Sequence, residues 1–448
     1  MLRTTAMSDP RVLASLRRYG RDATSFQTAK SGFSYWFADH DAFVAFVDVG
    51  GIRVVAGAPV AAPERIADVA TAFVRDAAES GHGVCFFGVE QDFVDATSYP
   101  ALLVGLQPVW DPSSWSATLS AAPRLREQLR RARAKKVRVR SVTAAEARSE
   151  PLARQIHDIG ERWLGLRGMA PMGFVVRVEP HALLEEKTVF VAEREGVMVG
   201  MVALAPLYAR GFLIEDLFRD PRGPNGTTEL LIDAAMNEAA RRGSRYVTLG
   251  LAPLAGDVSP AFRLFRDHAS ILFDFRGLEA FKRRLRPDHL DAIYIVRSPG
   301  ISSLRAIVAV LRAFAHGSFI RFGLQTLRRG PPIAIWILAI ALVPWTIGLA
   351  SVDGEKWFSS TASQRAWTVF DVLLAIGMLM LAVRWRARLA LSLAIIVTAD
   401  AVVTTLEALF FGAPRIHTAL DALLVVAASI APASAAVVLW GSWRRRRA

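Results

Sequence analysis

The 448-residue chain has one cysteine, Cys85, which excludes an internal disulfide and any cysteine-rich zinc site. It sits in the apolar run Val84-Cys85-Phe86-Phe87, where a buried, inert thiol is expected. The opening Met1-Leu2-Arg3-Thr4-Thr5 lacks the continuous apolar core of a signal peptide. The segment that follows is therefore expected to stay on the side of the membrane where it is made. Acidic residues are few beside basic ones, 41 against 54, for a net charge of +13. That imbalance suits an anionic partner, nucleic acid or lipid, although cytoplasmic loops of membrane proteins also collect Lys and Arg. No Ser-His-Asp or metal-ligand spacing stands out. What the chain has in excess is apolar residues, 52% of the total, and they are concentrated after Gly330.

Four apolar stretches follow that point: Pro331–Ala350, Trp367–Val383, Leu389–Phe411 and Ala419–Trp440. Each approaches or exceeds the roughly 17–25 residues that cross hydrocarbon as a helix. Arg321, Arg328 and Arg329 precede the first, Arg384, Arg386 and Arg388 separate the second and third, and Arg444 to Arg447 close the chain. The alternate loops hold Asp353, Glu355, Lys356 and Arg365 in one case and Arg415 alone in the other. Both ends of this four-helix region are thus expected in the cytoplasm of a multi-pass inner-membrane protein. Asp400 and Glu407 are seven residues apart and share a helix face. A charge at the bilayer centre costs about 2.5–3.5 kcal/mol. Both are therefore expected to face the bundle interior, as a headgroup, cation or proton site or as protonated packing contacts. Asp371 and Asp421 lie near the outer ends, close to water.

The first 300 or so residues read as α/β. Phe43–Val49, the turn Gly50-Gly51 and Ile52–Ala56 form a hairpin; a helix follows over Pro63–Glu79, then a buried strand from His82. A comparable order begins at Thr188. Strands Thr188–Arg194 and Met198–Pro206 flank the turn Glu195-Gly196, and Phe212–Arg219 is a third strand. The loop Asp220–Gly226 then opens a helix over Thr227–Arg242, and Tyr246–Leu251 returns as a strand. Two hairpin–strand–helix–strand units in tandem suggest a pair of acyl-CoA N-acyltransferase-like (GNAT-like) units. The turn that holds a CoA pyrophosphate in that fold uses backbone amides at a helix N-terminus. Here it reads Arg222-Gly-Pro-Asn-Gly226, and Pro224 removes one of those amides.

Between the units, Arg124, Arg126, Arg130, Arg131, Arg133, Lys135, Lys136, Arg138 and Arg140 crowd together, with Glu127 the single acid among them. The spacing predicts a helix from Pro123 to about Lys136, with Leu125, Leu129 and Ala132 as its apolar stripe. So dense a charge suits contact with a phosphate backbone. An anionic lipid surface or a plain solvated face are the alternatives.

Five passages resemble the catalytic domain of the phosphatidylglycerol lysyltransferases and alanyltransferases. They are Leu125–Ala134, Glu215–Gly226 with its Asp-x-x-Arg and Pro-Asn-Gly, Leu249–Gly256, Phe275–Pro287 and, more weakly, Gly57–Val60. The chain departs from that family's pattern at Ala58, Arg284, Leu285 and His289, and its apolar helices follow the catalytic domain rather than precede it.

The resemblance implies transfer of an aminoacyl group, lysyl or alanyl, from aminoacyl-tRNA to phosphatidylglycerol or a similar anionic phospholipid, with resistance to cationic antimicrobial peptides as a consequence. It implies no cofactor and no metal. It makes Asp216, Arg219 and Lys282 the catalytic candidates, Asp216 holding the donor's α-ammonium. Asn225, Gly226, Arg283 and Trp163 become substrate-binding candidates. The tRNA contacts fall to Arg124, Arg126, Arg130, Arg131, Arg133, Lys135 and Lys136. Each has a plainer reading: an Asp216–Arg219 ion pair, a helix cap at Asn225-Gly226, a basic edge facing the membrane at Lys282–Arg286, and core packing by Trp163. His157 and His289 are possible bases or simply solvated. The expected domains are 1–120, a basic linking helix 121–140, 141–300, a juxtamembrane linker 301–330, the helices 331–442 and a basic tail 443–448. An acyl-CoA-dependent N-acyltransferase and a non-catalytic membrane-anchored binding protein are the competing readings.

Overall fold

Both glycines of the Gly50-Gly51 turn take positive φ, 60° and 75°, the backbone that closes a tight hairpin with the right-handed twist of its strands. In the computed structural model, which describes residues 9–167, 169–268, 273–329, 331–351, 360–383, 385–412 and 418–447, this hairpin begins a long sheet. Its strands are β1 (Ser34–Phe37), β2 (Phe43–Val49), β3 (Ile52–Ala56), β4 (Gly83–Val89), β5 (Ala101–Trp110) and β6 (Val137–Val142). There follow β7 (Thr188–Arg194), β8 (Val197–Leu207), β9 (Gly211–Arg219), the short β10 (Val247–Thr248) and β11 (Ala252–Pro253), and β12 (His289–Arg297). The order across the sheet is β1-β2-β3-β4-β12-β5-β10-β9-β8-β7-β6, with β11 on β5.

The two tandem units appear as two halves with the same crossover. β3 and β4 pair in parallel around helix Ile66–Glu79, and β9 and β10 do so around helix Thr227–Arg241. Most other pairs are antiparallel. The halves are laced together rather than set side by side: β12 from the end of this region lies between β4 and β5, while β5 pairs with β10 of the second half. Gln107 Nε2 donates to the Tyr246 hydroxyl at 2.9 Å across the seam, and Arg210 pairs with Glu90 at 2.6 Å.

Helices cover both faces of each half, so successive strand residues are buried on opposite sides. In β8, Met201 and Ala203 join the core beneath helix Glu150–Gly165, while Val202 and Leu204 join the core beneath helices Pro123–Ala134 and Thr227–Arg241. In the first half, helix Ile66–Glu79 packs Phe73 and Ala77 on one face, and helices Pro10–Tyr19 and Ser303–Phe314 cover the other. Cys85 is fully buried in β4, and burial pushes its thiol up to about 12.

Residues 1–167 and 171–322 form this body; residues 168–170 and 323–448 form a second, helical one. Its helices are Pro331–Ser351, Thr361–Val383, Ala387–Glu407 with a π-turn over Ala408–Gly412, and Ala419–Arg447. They share a core of Ile335, Leu374, Met378, Leu393, Val397 and Leu439. Among the described residues, Thr361–Val383 and Ala387–Phe410 are long and apolar enough to cross a membrane, and Ile335–Ser351 is a shorter apolar helix. Asp371 is buried within this bundle, not set at a watery end, and Thr404 donates to Asp400. Asp353, Glu355, Lys356, Arg384 and Arg415 lie outside the described residues, as does the side chain of Asp421.

Candidate active site

The pairing of β8 and β9 slips by one residue: Met201 faces Phe218, but Ala203 faces Glu215. Asp216 and Leu217 therefore stand opposite Val202 alone, a β-bulge. Asp216 adopts φ +49°, a left-handed conformation that Asp tolerates better than most residues. The bulge has a direct chemical result. Consecutive strand residues normally point to opposite faces, yet Glu215 and Asp216 meet the same ammonium group. Lys187 Nζ lies 3.3 Å from Glu215 Oε1 and 3.0 Å from Asp216 Oδ2.

A second lysine closes the group from the N-terminal segment. Lys30 Nζ donates to Glu215 Oε2 at 2.8 Å, and Gln27 Nε2 donates to the same oxygen at 2.9 Å. The side chains of Lys187, Lys30, Asp216 and Glu215 are 0%, 4%, 5% and 9% exposed. Two positive and two negative charges are thus sealed together, which makes their burial tolerable. Burial alone would push the Glu215 carboxyl up. The Lys30 and Lys187 charges, with hydrogen bonds from Lys30 and Gln27, outweigh that and hold it at about 2. Burial likewise works against the charged form of Lys30, and the Glu215 and Asp216 carboxylates overcome it, so its pKa is raised. Some hydrogen-bonding capacity is left over: Gln27 Oε1 is buried with no hydrogen-bond donor among the described residues, and Glu215 Oε1 has the Lys187 ammonium at 3.3 Å as an ion-pair contact only. His181 lies within electrostatic reach of Asp216 and Lys187; burial first, then the charges of His157 and Lys187, lower its pKa.

The other expected residues are distributed around this cluster. Arg219 does not pair with Asp216. Its Nη1 donates to the Gly223 carbonyl at 2.9 Å and approaches Asn225 Oδ1 at 3.5 Å, clamping the loop after β9. Gly226 takes φ +91°, and a Cβ there would collide with the Gln128 carbonyl of the basic helix. The helix N-terminus at Asn225-Gly226, a substrate-binding candidate, is thus roofed by that helix. Trp163 packs against Phe218 with centroids 5.0 Å apart and the rings tilted by 55°, and carries the Arg167 guanidinium at 4.0 Å.

Lys282 is fully buried. Its three N–H groups donate to the carbonyls of Leu249, Gly250 and Leu251 at 2.9, 2.7 and 2.9 Å, so it staples the glycine-containing segment after β10. Burial pulls its pKa down to about 7. Arg283 is exposed and pairs with Glu279 at 2.9 Å. His157 is exposed, and His289 faces Asp291 at 3.4 Å.

The basic helix runs Pro123–Ala134 with Leu125, Leu129 and Ala132 buried. Several of its charges are already engaged. Arg126 caps the Leu119 and Ser120 carbonyls, Arg130 and Arg131 both reach Glu127, and Arg133 pairs with Asp233 at 3.0 Å. Arg124, Lys135 and Lys136 are exposed. Elsewhere, Asp39, His40 and Asp41 bring ligand atoms within 4.8 Å of one another, but Arg65 holds both carboxylates. That group is an ion-pair network.

Lys30, Gln27, Lys187 and His181 were not evident from local pattern. One signal could have found the lysines. The chain has six lysines against 48 arginines, and Lys30, Lys187 and Lys282 are all buried. An Arg-rich chain that keeps lysine inside uses it where a compact ammonium is needed.

Fold and site together define a tandem GNAT-like α/β protein with a sealed lysine–carboxylate cluster on a bulged strand. The family model described as "Phosphatidylglycerol lysyltransferase, C-terminal" matches residues 13–297, and the chain belongs to that family. A phosphatidylglycerol lysyltransferase of Bacillus subtilis is 25% identical over 300 residues, covering 63% of this chain and 34% of that protein. The lysylphosphatidylglycerol biosynthesis bifunctional protein LysX of Nocardia farcinica is 26% identical over 330 residues, covering 68% and 28%. The chain spans about a third of the length of the curated relatives it matches. Its fold is similar to that of L-PGS from Bacillus licheniformis, with a TM-score of 0.60 and 20% identity over 70% of this chain and 99% of that one.

Proposed function

We propose that this protein moves an aminoacyl group, lysyl or alanyl, from aminoacyl-tRNA to phosphatidylglycerol or a similar anionic phospholipid. The observation that carries the reading is the bulge at Asp216, which turns two adjacent carboxylates toward one buried ammonium. Family membership and the names of the relatives point the same way.

An aminoacyl ester is already activated. The lipid hydroxyl oxygen adds to the ester carbonyl, its proton passes to the departing tRNA ribose oxygen, and the acyl–ribose bond breaks. Such a transfer needs placement and electrostatic support more than a nucleophilic side chain. Asp216 is the carboxylate assigned to the donor's α-ammonium, which must displace the Lys187 ammonium from Asp216 Oδ2 to reach it, while Glu215 and Lys30 hold the rest of the cluster. Arg219 holds the loop beside it through Gly223 and Asn225. Lys282 acts on the site by stapling residues 249–251. Arg124, Lys135 and Lys136 lead the tRNA contact, and Arg130 and Arg131 lie close enough to join it.

The acyl-CoA alternative is disfavoured by two features of one loop. Pro224 has no amide to offer, and the Gln128 carbonyl occupies the space above Gly226. In this reading the apolar helices cross the inner membrane four times, leaving the N-terminal body and the chain end in the cytoplasm.

The test uses purified protein, tRNA charged with a radiolabelled amino acid, and phosphatidylglycerol vesicles. Label passing into the lipid phase supports the proposal. Label passing there from acyl-CoA, and not from tRNA, contradicts it.

A further inference from the structure

Between Asp291 and Asp353 the chain has no acidic residue, and the charges within Ser303–Arg329 are Arg305, Arg312, Arg321, Arg328 and Arg329. Helix Ser303–Phe314 opens this segment, capped by the Ser302 side chain. One of its faces is committed to the protein: Ala306, Ala309, Val310 and Ala313 are buried in the first-half core with Phe43, Val54 and Cys85. The opposite face is apolar as well. Leu304, Val308 and Leu311 are 70%, 38% and 48% exposed, at the i, i+4, i+7 spacing of a single helix stripe. In the following helix Phe319, Ile320 and Leu324 are exposed too.

A 12-residue helix is about 18 Å long, too short for a hydrocarbon core of about 30 Å, and its inner face is taken by the soluble core. Joined to Phe319–Thr326 across a 48° bend it would be long and apolar enough for one span, but the burial of Ala306, Ala309, Val310 and Ala313 in the first-half core argues against its crossing a membrane. An apolar stripe with only positive charge in its own segment suits a helix lying in the plane of an anionic leaflet. The chain also enters the first apolar helix of the second body at Pro331, soon after this segment ends. We infer that the outer face of helix Ser303–Phe314 docks the N-terminal body onto the anionic bilayer surface, seating Leu304, Val308 and Leu311 in lipid. This rests on the reading that the apolar helices cross a bilayer, and not on the chemistry of the site.

Cys85 is fully buried, so single cysteines can be labelled in the whole protein. Leu304→Cys, Val308→Cys and Leu311→Cys would each carry a nitroxide, with Val197→Cys, at the exposed start of β8, as the aqueous reference. The proteins are reconstituted in vesicles of phosphatidylglycerol and phosphatidylcholine, and collisions with oxygen and with a water-soluble nickel chelate are measured. The expected result is gain of oxygen contact and loss of nickel contact at all three stripe positions, but not in the Val197→Cys reference. Nickel contact equal to the reference at the three positions overturns the inference. So does strong dipolar coupling between labels, which would make a second copy of this chain the occupant. A protein stripped from the vesicles by alkaline carbonate overturns the membrane reading and the docking with it, whatever the transfer assay shows.

Discussion

Lys187 Nζ is 3.0 Å from Asp216 Oδ2, with its own side chain wholly buried. The pair joins the residue before β7 to the bulge in β9, and so ties the strand's distortion to the buried charge. Replacing Lys187 by Met leaves Asp216 as a buried carboxylate without its partner, which costs about 3–5 kcal/mol. Thermal or denaturant unfolding of the purified protein measures this. A loss below about 1 kcal/mol, the range of exposed pairs, would show that the cluster opens to water.

The backbone at Asp216 gives a second prediction. Gly accepts φ +49° freely, whereas a β-branched residue there is strained by about 1–3 kcal/mol. Asp216→Gly should therefore escape the backbone strain and lose only the ion pair, at a cost of about 3 kcal/mol, with Glu215 at 3.3 Å as the remaining carboxylate for the Lys187 ammonium. Asp216→Val should be clearly less stable. Equal unfolding midpoints for the two variants would contradict the bulge as described.

Acid stability should carry the mark of Glu215. Its folded pKa of about 2 lies below its ordinary 4.5, so the unfolded chain binds the proton more tightly. The resulting stabilisation is fully present above the ordinary value and is lost as pH falls from 4.5 toward 2, amounting to about 3 kcal/mol in all. Glu215→Gln removes this linkage. Acid-unfolding curves of the variant should lie flatter across that window, and parallel curves would refute the assignment.

Gly226 reports on how the basic helix packs over the loop. Gly226→Ala forces both a left-handed alanine and a clash with the Gln128 carbonyl, for a loss of at least about 2 kcal/mol. Gly243→Ala has a similar φ, +72°, and open space around it, and should cost about 1–2 kcal/mol. If the two cost the same, the basic helix does not sit over the loop as the structure has it.

For the RNA contact, changing Arg124, Lys135 and Lys136 together to Ala should lower tRNA affinity and reduce the slope of log affinity against log salt by about 2. Arg133→Ala should disturb stability through Asp233 and leave that slope nearly unchanged. The reverse pattern would put the contact elsewhere.

Much of the fold was legible in local pattern, because helices and strands announce themselves through period and punctuation. The basic helix is seen at Pro123–Ala134, and the helix after the Gly226 loop runs Thr227–Arg241, each close to its expected bounds. Long-range pairing was not legible. Nothing in His289–Arg297 indicates that it inserts between β4 and β5, since a two-residue period fits any neighbour. The site shows the same division. Asp216 was singled out by its motif, but Lys30 and Lys187 come from distant segments and are joined to it only by the fold. Arg219 was expected beside Asp216; the bulge sends it to Gly223 instead. Lys282 was expected to meet substrate, yet all three of its N–H groups are spent on backbone carbonyls.

The most direct test is the lipid content of cells expressing the native chain or Asp216→Gly. The account predicts a new ninhydrin-positive phospholipid with the native protein, and its absence with a variant that still folds and reaches the membrane. A new lipid that persists undiminished in Asp216→Gly would contradict the role given to this carboxylate, and no new lipid with either protein would contradict the proposed transfer.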